Sequence, residues 1–279
     1  MKRLLTTTAL IAVLATPVMA DVTIGGDMEW SYQDNDGTTS TVLDGDINIK
    51  PSITTDTGMT YSADFNFNQD GNDDGGNSLT VKNDKFTLDL GDVNSALDAI
   101  DDVTDFTYVL GNGSPSVDHS SILSLSPVEG LTLNVSNATG NDYGTSAGEG
   151  YAYSGSYAVG SLMTIGAGKM INADDSEATL MNVKGSVGPL GLSMEKHTDT
   201  TAAKVDTDTT TMGATYTVGS MMFGVETMKA ESAGTTSSDE MTIGAQYKVA
   251  PGVVAFAENT TDDKTASEKT TAMGLTIKF

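Results

Sequence analysis

Beyond residue 20 the sequence is a series of short runs in which apolar and polar residues alternate, and turn-forming residues separate each run from the next. In one run Met59, Tyr61, Ala63, Phe65 and Phe67 share one side, and the residues between them are polar. A period of two places successive side chains on opposite faces of a β-strand, so each run is predicted to be a strand with one face against an apolar medium. We count sixteen runs, near 21–33, 43–54, 58–69, 78–83, 85–91, 119–126, 130–138, 150–159, 160–171, 177–187, 189–197, 209–218, 220–230, 239–249, 252–260 and 269–279.

The two ends of the sequence indicate where such a sheet resides. Residues 1–20 combine Lys2 and Arg3 with a short apolar stretch and a small-residue site at Ala20, which is typical of a secretory signal peptide. The alternative, a membrane-anchoring helix, needs about 20 apolar residues, and this stretch is shorter. The last run alternates up to Phe279, as a strand of an outer-membrane barrel does. We predict a signal peptide at 1–20 and, over 21–279, an all-β transmembrane antiparallel barrel in the bacterial outer membrane.

Composition excludes several classes of function. The chain has 38 acidic and 14 basic residues, a formal net charge of −24, and no Cys. Nucleic acid is not an expected partner, because phosphates require a basic surface. A zinc site is not expected either, since Cys is absent and only two His are present. Only alternate residues of a barrel strand face lipid, so a mean hydropathy of −0.15 fits a barrel but not a bundle of transmembrane helices.

The connectors between runs alternate in length. Short ones lie near 56–58, 83–84, 128–130, 159–161, 188–190, 218–220 and 250–252; long acidic ones lie near 34–42, 70–77, 92–118, 139–149, 172–176, 198–208, 231–238 and 261–268. Short periplasmic turns and long external loops are typical of outer-membrane barrels. Because lipid cannot satisfy an open edge, the sheet is predicted to close, and about sixteen strands enclose an aqueous channel. Fourteen strands remain an alternative if two of the poorly alternating runs at 119–126, 160–171 and 252–260 are loops.

The longest connector, 92–118, would be the third external loop. Its acidic residues include Asp92, Asp98, Asp101, Asp102 and Asp105, and it contains no basic residue. In its segment 94–100, Leu97 and Ile100 are three residues apart, which is typical of a helical turn with one apolar side. Apolar residues within an acidic loop indicate packing against the inside of the barrel wall. We therefore expect this loop to fold inward, narrow the channel and place carboxylates there.

The sequence GDVNSALD at 91–98 resembles the start of the constriction loop in general bacterial porins, especially those of alphaproteobacteria. The leader, the rhythm of strands and loops and the terminal Phe279 resemble the same family along the whole mature chain. The resemblance implies a trimer of sixteen-stranded barrels in which an acidic loop faces a basic wall rich in Arg. This sequence departs from that pattern, because no Arg follows Arg3. Lys50 and Lys82, on the polar faces of their runs, could form the basic pore wall instead; further candidates are Lys85, Lys184 and Lys248.

The predicted function is passive diffusion of small hydrophilic solutes and ions through a water-filled pore, without a cofactor. Charge at the narrowest point sets ion selectivity, so the carboxylates of the loop predict a preference for cations. The other interpretation is that they only solvate an external loop. The predicted partners are outer-membrane lipid and lipopolysaccharide, further copies of the chain in a homotrimer, and the barrel assembly machinery, which would recognise Phe279.

One acidic segment raises the question of metal binding. The sequence DGNDDG at 70–75 matches the first half of an EF-hand loop, but position twelve is Val81 instead of Glu. An EF-hand is therefore not expected. Loosely bound Ca²⁺ or Mg²⁺ at Asp70, Asp73 and Asp74 remains a hypothesis.

Two other classes of function remain as alternatives. His119 and Ser120 supply the base and nucleophile types of a hydrolase, but adjacent strand residues point to opposite faces and cannot easily share a proton. An outer-membrane hydrolase is therefore the second hypothesis. A structural or adhesive barrel, using loops rich in Thr, Ser and Asp, is the third.

Overall fold

The chain folds into sixteen antiparallel strands, each hydrogen-bonded to the next, in a computed structural model that describes residues 21–68, 77–101, 118–138, 150–264 and 269–279. The strands are β1 (Asp21–Asn35), β2 (Thr38–Thr54), β3 (Thr60–Asn68), β4 (Ser78–Lys82), β5 (Phe86–Asn94), β6 (Asp118–Val128), β7 (Leu131–Ala138), β8 (Gly150–Val159), β9 (Met163–Asn172), β10 (Glu177–Val187), β11 (Leu190–Thr200), β12 (Asp206–Val218), β13 (Met221–Ser232), β14 (Thr235–Ala250), β15 (Val253–Asp262) and β16 (Lys269–Lys278). β1 also pairs with β16, which closes the barrel.

The closed barrel of sixteen strands confirms the predicted fold class. Fourteen strands is wrong, because the three poorly alternating runs form the paired strands β6, β9 and β15. No helix long and apolar enough to cross a membrane occurs within the described ranges. The predicted signal peptide at 1–20 lies outside the described residues.

Side chains alternate between the outside and the inside of the barrel along each strand. On β1, Trp30 points outward and is 48 % exposed, whereas the next residue, Ser31, points inward and is 1 % exposed. Directly opposite residues on paired strands share a face, and Trp30 lies opposite Leu43 on one side and Leu275 on the other. The outer face is therefore largely apolar and the inner face largely polar, as the period of two predicted.

Two external connectors are much shorter than predicted. The loop expected at 34–42 is the turn Asp36-Gly37, and the loop expected at 231–238 is the turn Ala233-Gly234. All four residues have positive φ, between 48° and 86°, as two-residue hairpin turns in a twisted sheet require. The flanking Thr and Ser residues extend the strands beyond the apolar, lipid-facing band of the barrel. A β-branched Thr favours a paired strand, and its hydroxyl can hydrogen-bond to water.

The barrel closes along the seam between β1 and β16. At the periplasmic end, where the short turns and both strand termini lie, the N–H of Phe279 donates to the carbonyl of Gly26, and the N–H of Gly26 donates to the carbonyl of Phe279, both at 3.0 Å. Further along the seam, Gly274 lies against the carbonyl of Trp30 and the ring of Phe256, so closely that a Cβ would overlap both. The seam therefore has no room for a side chain at position 274.

A row of outward-facing ion pairs crosses β9 to β13. The pairs are Lys169–Glu177 at 2.7 Å, Lys196–Asp208 at 3.1 Å and Lys229–Glu231 at 2.5 Å. Register places them on the outer face, because Lys169 lies opposite Tyr153 and Lys196 lies opposite Met181. Exposed pairs of this kind contribute little to stability. Their position marks where the apolar band ends toward the external loops.

Candidate pore constriction

The third loop leaves the barrel through an irregularity at the external end of β5. The pairing between β5 and β6 shifts between Leu90 and Val93, and the intervening Gly91 has a φ of 115°, where an L side chain is strained. The N–H of Asp92 then donates to the carbonyl of Asn77 at 3.1 Å. This bulge ends the regular ladder and redirects the chain away from the sheet.

The first residues of the loop form consecutive hydrogen-bonded turns. The N–H of Ser95 donates to the carboxylate of Asp98 at 3.0 Å, and the N–H of Asp98 donates to the hydroxyl of Ser95 at 3.2 Å. This reciprocal pair is the arrangement of a capping box, with Asp in the place of Glu. The N–H of Ala99 donates to the carbonyl of Ser95 at 3.2 Å, which continues the turn. One carboxylate that was predicted to line the pore, Asp98, therefore also organises the loop.

The loop packs against the inside of the barrel. Ala96, Leu97 and Ile100 are at most 5 % exposed and join a buried cluster with wall residues of β6, β8, β9 and β10: Ile122, Ala152, Met170, Ala178 and Leu180. At position 168 the wall carries Gly, and a Cβ there would lie 2.8 Å from Cδ1 of Leu97. A small residue in the wall thus creates the space that Leu97 fills.

Two polar contacts fix the position of the loop on the wall. The N–H of Ala96 donates to Oγ of Ser136 on β7 at 2.6 Å, and Nδ2 of Asn182 on β10 donates to the carbonyl of Ile100. The first lies at the beginning of the turn and the second at its end, so the segment 95–100 is held at both ends. Over its described residues, 92–101, the third loop folds inward as predicted.

Where the described part of the loop ends, it meets carboxylates of the wall. The side chain of Asp101 is hydrogen-bonded to that of Glu195 on β11, and Glu226 on β13 interacts electrostatically with Glu195. Glu226 is 2 % exposed. A second acidic group lies on β1, β2 and β15, where Glu29 interacts with Asp44, Asp27 and Glu258. This part of the acidic loop therefore rests against an acidic wall.

The structure places the other predicted site residues as follows. Lys50 faces inward on β2 and forms an ion pair with Asp64 on β3 at 2.7 Å. Lys82 faces inward at the periplasmic end of β4, in register with Thr60 and Thr87. Asp102 and Asp105 of the loop lie outside the described residues, as do Asp70, Asp73 and Asp74 of the candidate divalent site.

The described residues contain no group of three or more His, Asp or Glu side chains that could hold a metal ion. His119, one of the two residues of the hydrolase hypothesis, is buried at 1 % exposure near the external end of β6. Its neighbour Ser120 follows it on the same strand, where successive side chains point to opposite faces.

Comparison with known proteins favours one of these classes of function. The family model of the Gram-negative porins matches residues 6–267. The chain belongs to the Gram-negative porin family. This porin forms a channel in the bacterial outer membrane. None of the curated proteins matches it in sequence.

Solved porin structures have the same fold at low sequence identity. A loop-deletion mutant of OmpT, an outer-membrane protein of Vibrio cholerae, has a TM-score of 0.74 at 14 % identity, over 93 % of this chain and 99 % of that one. A porin refined at 1.8 Å has a TM-score of 0.73 at 16 % identity, over 93 % and 100 %. A double mutant of Rhodopseudomonas blastica porin has a TM-score of 0.73 at 15 % identity, again over 93 % and 100 %. Family membership favours a channel over the hydrolase and adhesive hypotheses.

Proposed function

We propose that this porin is a general diffusion channel that prefers cations. The support is the charge of its inner surface, where carboxylates outnumber ammonium groups. The inward-facing acidic residues of the described strands are Asp21, Asp27, Glu29, Asp44, Asp46, Asp64, Asp89, Glu195, Asp199, Glu226, Glu240, Glu258 and Asp262. The inward-facing Lys residues of the same strands are Lys50, Lys82, Lys184, Lys248 and Lys278.

The contact of Asp101 with Glu195 is the observation that carries this proposal. It joins the inward loop to the wall through two acidic side chains that share one proton, so the pair carries a single negative charge, and Glu226 extends the acidic surface to β13. The inward-facing Lys50 is paired with Asp64, so its charge is already balanced. A pore whose narrow region is lined in this way lowers the energy of a permeating cation and raises that of an anion.

The external end of the barrel adds to the negative field. In the turn between β9 and β10, the carboxylate of Asp174 accepts hydrogen bonds from the hydroxyl of Ser176 at 2.6 Å and from its N–H at 2.9 Å. These bonds lower the pKa of Asp174 below its usual value, the hydroxyl contributing most. Asp174 therefore stays ionised under mildly acidic conditions, and its charge attracts cations to the channel mouth.

The expected result in a planar bilayer under a KCl gradient is a reversal potential of the sign that cation permeation produces. A unit charge about 6 Å from an ion in water contributes roughly 0.7 kcal/mol, or about a threefold change in cation occupancy. Replacing Asp101 by Asn and Glu195 by Gln together removes the single charge that the pair carries, and should therefore move the permeability ratio of K⁺ to Cl⁻ several-fold toward unity. Raising the salt concentration should weaken the preference, because screening shortens the range of these charges.

The matched control is the pair of substitutions Glu177→Gln and Asp208→Asn, which removes two carboxylates from the outer face. These two substitutions should leave the reversal potential unchanged while the channel still conducts. An anion-selective wild type would contradict the proposed preference. An equal shift in the control variant would show that net charge, and not the acidic constriction, sets the selectivity.

We propose further that the porin is a homotrimer whose barrels meet along β3, β4 and β5. A tilted strand needs about 9–11 residues to cross the membrane, whereas β4 has five. Five residues span only about 17 Å along the strand, less than the apolar band of about 25 Å. The outer face there remains apolar, with Leu79 46 % and Phe65 42 % exposed. Another copy of the barrel would cover this short wall; the number of copies follows from family resemblance.

A cross-linking experiment tests this arrangement, since the chain contains no Cys. The Leu79→Cys variant should give covalently linked oligomers with a short bis-maleimide, because position 79 would lie at the centre of the interface. The control is Met212→Cys on β12, which is equally exposed on the far side of the barrel. Monomeric mass in native mass spectrometry, or equal cross-linking of both variants, would contradict the proposed interface.

The remaining proposals concern biogenesis and surroundings. The signal peptide at 1–20 would direct export, and the barrel assembly machinery would recognise the terminal strand through Phe279, which is 67 % exposed. Small hydrophilic solutes would be the cargo, and the porin would need no cofactor and catalyse no reaction. Loosely bound Ca²⁺ or Mg²⁺ at the acidic external loops is compatible with this function.

A further inference from the structure

The charged side chains of the inner wall are sorted along the axis of the barrel. Every inward-facing Lys of the described strands lies within five residues of the periplasmic end of its strand: Lys50, Lys82, Lys184, Lys248 and Lys278. Beyond that distance, toward the outside, the inward-facing carboxylates of the described strands stand without a Lys among them: Asp27, Glu29, Asp44, Asp46, Glu195, Asp199, Glu226, Glu240, Glu258 and Asp262.

At the periplasmic end the side-chain charges of the two signs balance. A further ammonium group, that of Lys85, lies in the turn between β4 and β5. The carboxylates of this end are Asp21, Asp64 and Asp89 on the strands and Asp56, Asp84 and Glu129 in the turns. Their number equals that of the Lys residues, and Lys50 pairs directly with Asp64 at 2.7 Å. The periplasmic end of the lumen therefore attracts neither cations nor anions strongly.

The middle and external part of the lumen remains negative although some of its carboxylates are shielded. Glu226 and Glu258 are 2 % and 4 % exposed, and the carboxyl pair at the constriction shares one proton. Other carboxylates of this part are in contact with water: Asp44 is exposed, Glu240 is partly exposed, and the side chain of Asp199 is 48 % exposed. Solvated carboxylates are ionised at neutral pH. The lumen thus consists of an acidic external part in series with a balanced periplasmic part.

We propose that this porin rectifies ionic current, conducting better when cations move from the outside to the periplasm than when they move in the opposite direction. The inference rests on the proposed cation preference. The acidic part holds K⁺ and excludes Cl⁻, whereas the balanced part admits both ions. Small cationic solutes are the class of cargo whose entry this arrangement favours when the outside is positive.

The sign of the asymmetry follows from the order of the two parts. When the outside is positive, K⁺ leaves the acidic part toward the periplasm, and Cl⁻ enters the balanced part from the periplasm. The acidic part holds Cl⁻ back, so salt accumulates at the boundary and the conductance rises. With the voltage reversed, Cl⁻ leaves the balanced part and is not replaced through the acidic part, so the boundary is depleted of salt. At zero voltage and equal concentrations the net flux is zero.

Single-channel currents in symmetric KCl, at equal voltages of both signs, test the proposal independently of the reversal potential. A fixed charge near the ion path changes ion occupancy several-fold at most, so we expect a current ratio of about two at about 0.1 M KCl. The ratio should approach one at about 1 M, where the Debye length falls to about 3 Å. The substitution Asp263→Cys in an external turn, carried by every variant, reports the orientation, since a bulky maleimide acts only from the external chamber.

Reversing charge at the periplasmic end should abolish the asymmetry. Lys82 and Lys248 are both exposed, so Lys82→Glu with Lys248→Glu should leave the barrel intact, which electrophoresis of unheated samples verifies. The lumen is then acidic at both ends: the current ratio should fall close to one, while the reversal potential moves further toward that of K⁺. The matched control is Lys264→Glu with Lys269→Glu at the external end, which changes the net charge equally and should keep the ratio at or above that of the wild type.

The possible outcomes separate this proposal from the one on which it rests. Equal currents at both signs together with a cation-selective reversal potential would overturn the rectification and leave the cation preference standing. A larger current with the outside negative would overturn the proposed direction. An unselective reversal potential would remove the cation preference and the rectification with it. Loss of the asymmetry in the external control variant would assign it to net charge instead of to the axial order of the two parts.

Discussion

Replacing Leu97 by Asn is expected to free the third loop from the wall of an intact barrel, raising single-channel conductance and the noise of the open state. Leu97 is 2 % exposed and lies in the centre of the cluster that joins the loop to the wall. Truncating a buried Leu costs about 2–5 kcal/mol, and an amide in its place must also be desolvated. The hydrogen bonds from Ala96 to Ser136 and from Asn182 to Ile100 contribute only about 0.5–1.5 kcal/mol each, so they cannot compensate.

The expected result separates the loop from the barrel. Strand pairing does not involve Leu97, so the unfolding midpoint of the barrel in urea should stay close to that of the wild type. Proteinase K should cut the loop much faster in Leu97→Asn. The volume-conserving variant Leu97→Met is the control, because such exchanges usually cost less than about 1.5 kcal/mol. Wild-type conductance and protease resistance in Leu97→Asn would mean that the loop is held by contacts other than this cluster.

The same contact can be broken from the wall. A Cβ at Gly168 would lie 2.8 Å from both Cδ1 of Leu97 and Cβ of Ser154, so Gly168→Leu fills the space that the loop uses. Its conductance should rise as in Leu97→Asn. Agreement between a variant of the loop and a variant of β9 would assign the effect to their mutual contact, since the two positions are far apart in sequence.

How much of this structure the sequence predicts depends on the range of the interactions. Alternation is local, so the strand of Tyr61 and Phe65 and the outward face of Trp30 were predictable. The helical spacing of Leu97 and Ile100 also predicted a turn with a buried side, which the structure places on the wall. The turn at Asp36-Gly37 was missed because its flanking Thr and Ser residues are polar on both faces, so alternation no longer distinguishes strand from loop.

The partners of the constriction loop could not be predicted, because they come from distant strands. Ser136 and Asn182 are 40 and 82 residues from the loop atoms they contact. Glu195 and Glu226 had a signal that the sequence analysis did not use: both occupy inward positions, next to the outward-facing Met194 and Val225. Their inward position follows from alternation alone. The contacts of Glu195 with Asp101 and with Glu226 follow only from the closure of the barrel and the path of the loop.

At the seam between the first and last strands, a single added side chain should severely damage this porin. A Cβ at Gly274 would overlap the carbonyl oxygen of Trp30 and lie 2.6 Å from Cζ of Phe256. Overpacking typically costs about 1–3 kcal/mol, which is the loss of stability expected for Gly274→Ala. Gly274→Leu should prevent β16 from pairing with β1. Backbone groups left open in lipid each cost several kcal/mol, so the barrel should then fail to form.

Refolding from urea into detergent micelles, followed by electrophoresis of unheated samples, measures the fraction of closed barrel. We expect a reduced fraction for Gly274→Ala and almost none for Gly274→Leu. Met273→Leu, a similar volume on the lipid face of the same strand, should refold like the wild type. Adding Phe256→Leu to Gly274→Ala should restore only part of the loss, because the ring can be removed but the carbonyl of Trp30 belongs to the backbone. Complete restoration in the double variant would assign the clash to the Phe256 ring alone. Normal refolding of Gly274→Leu would show that the seam can separate locally without opening the barrel.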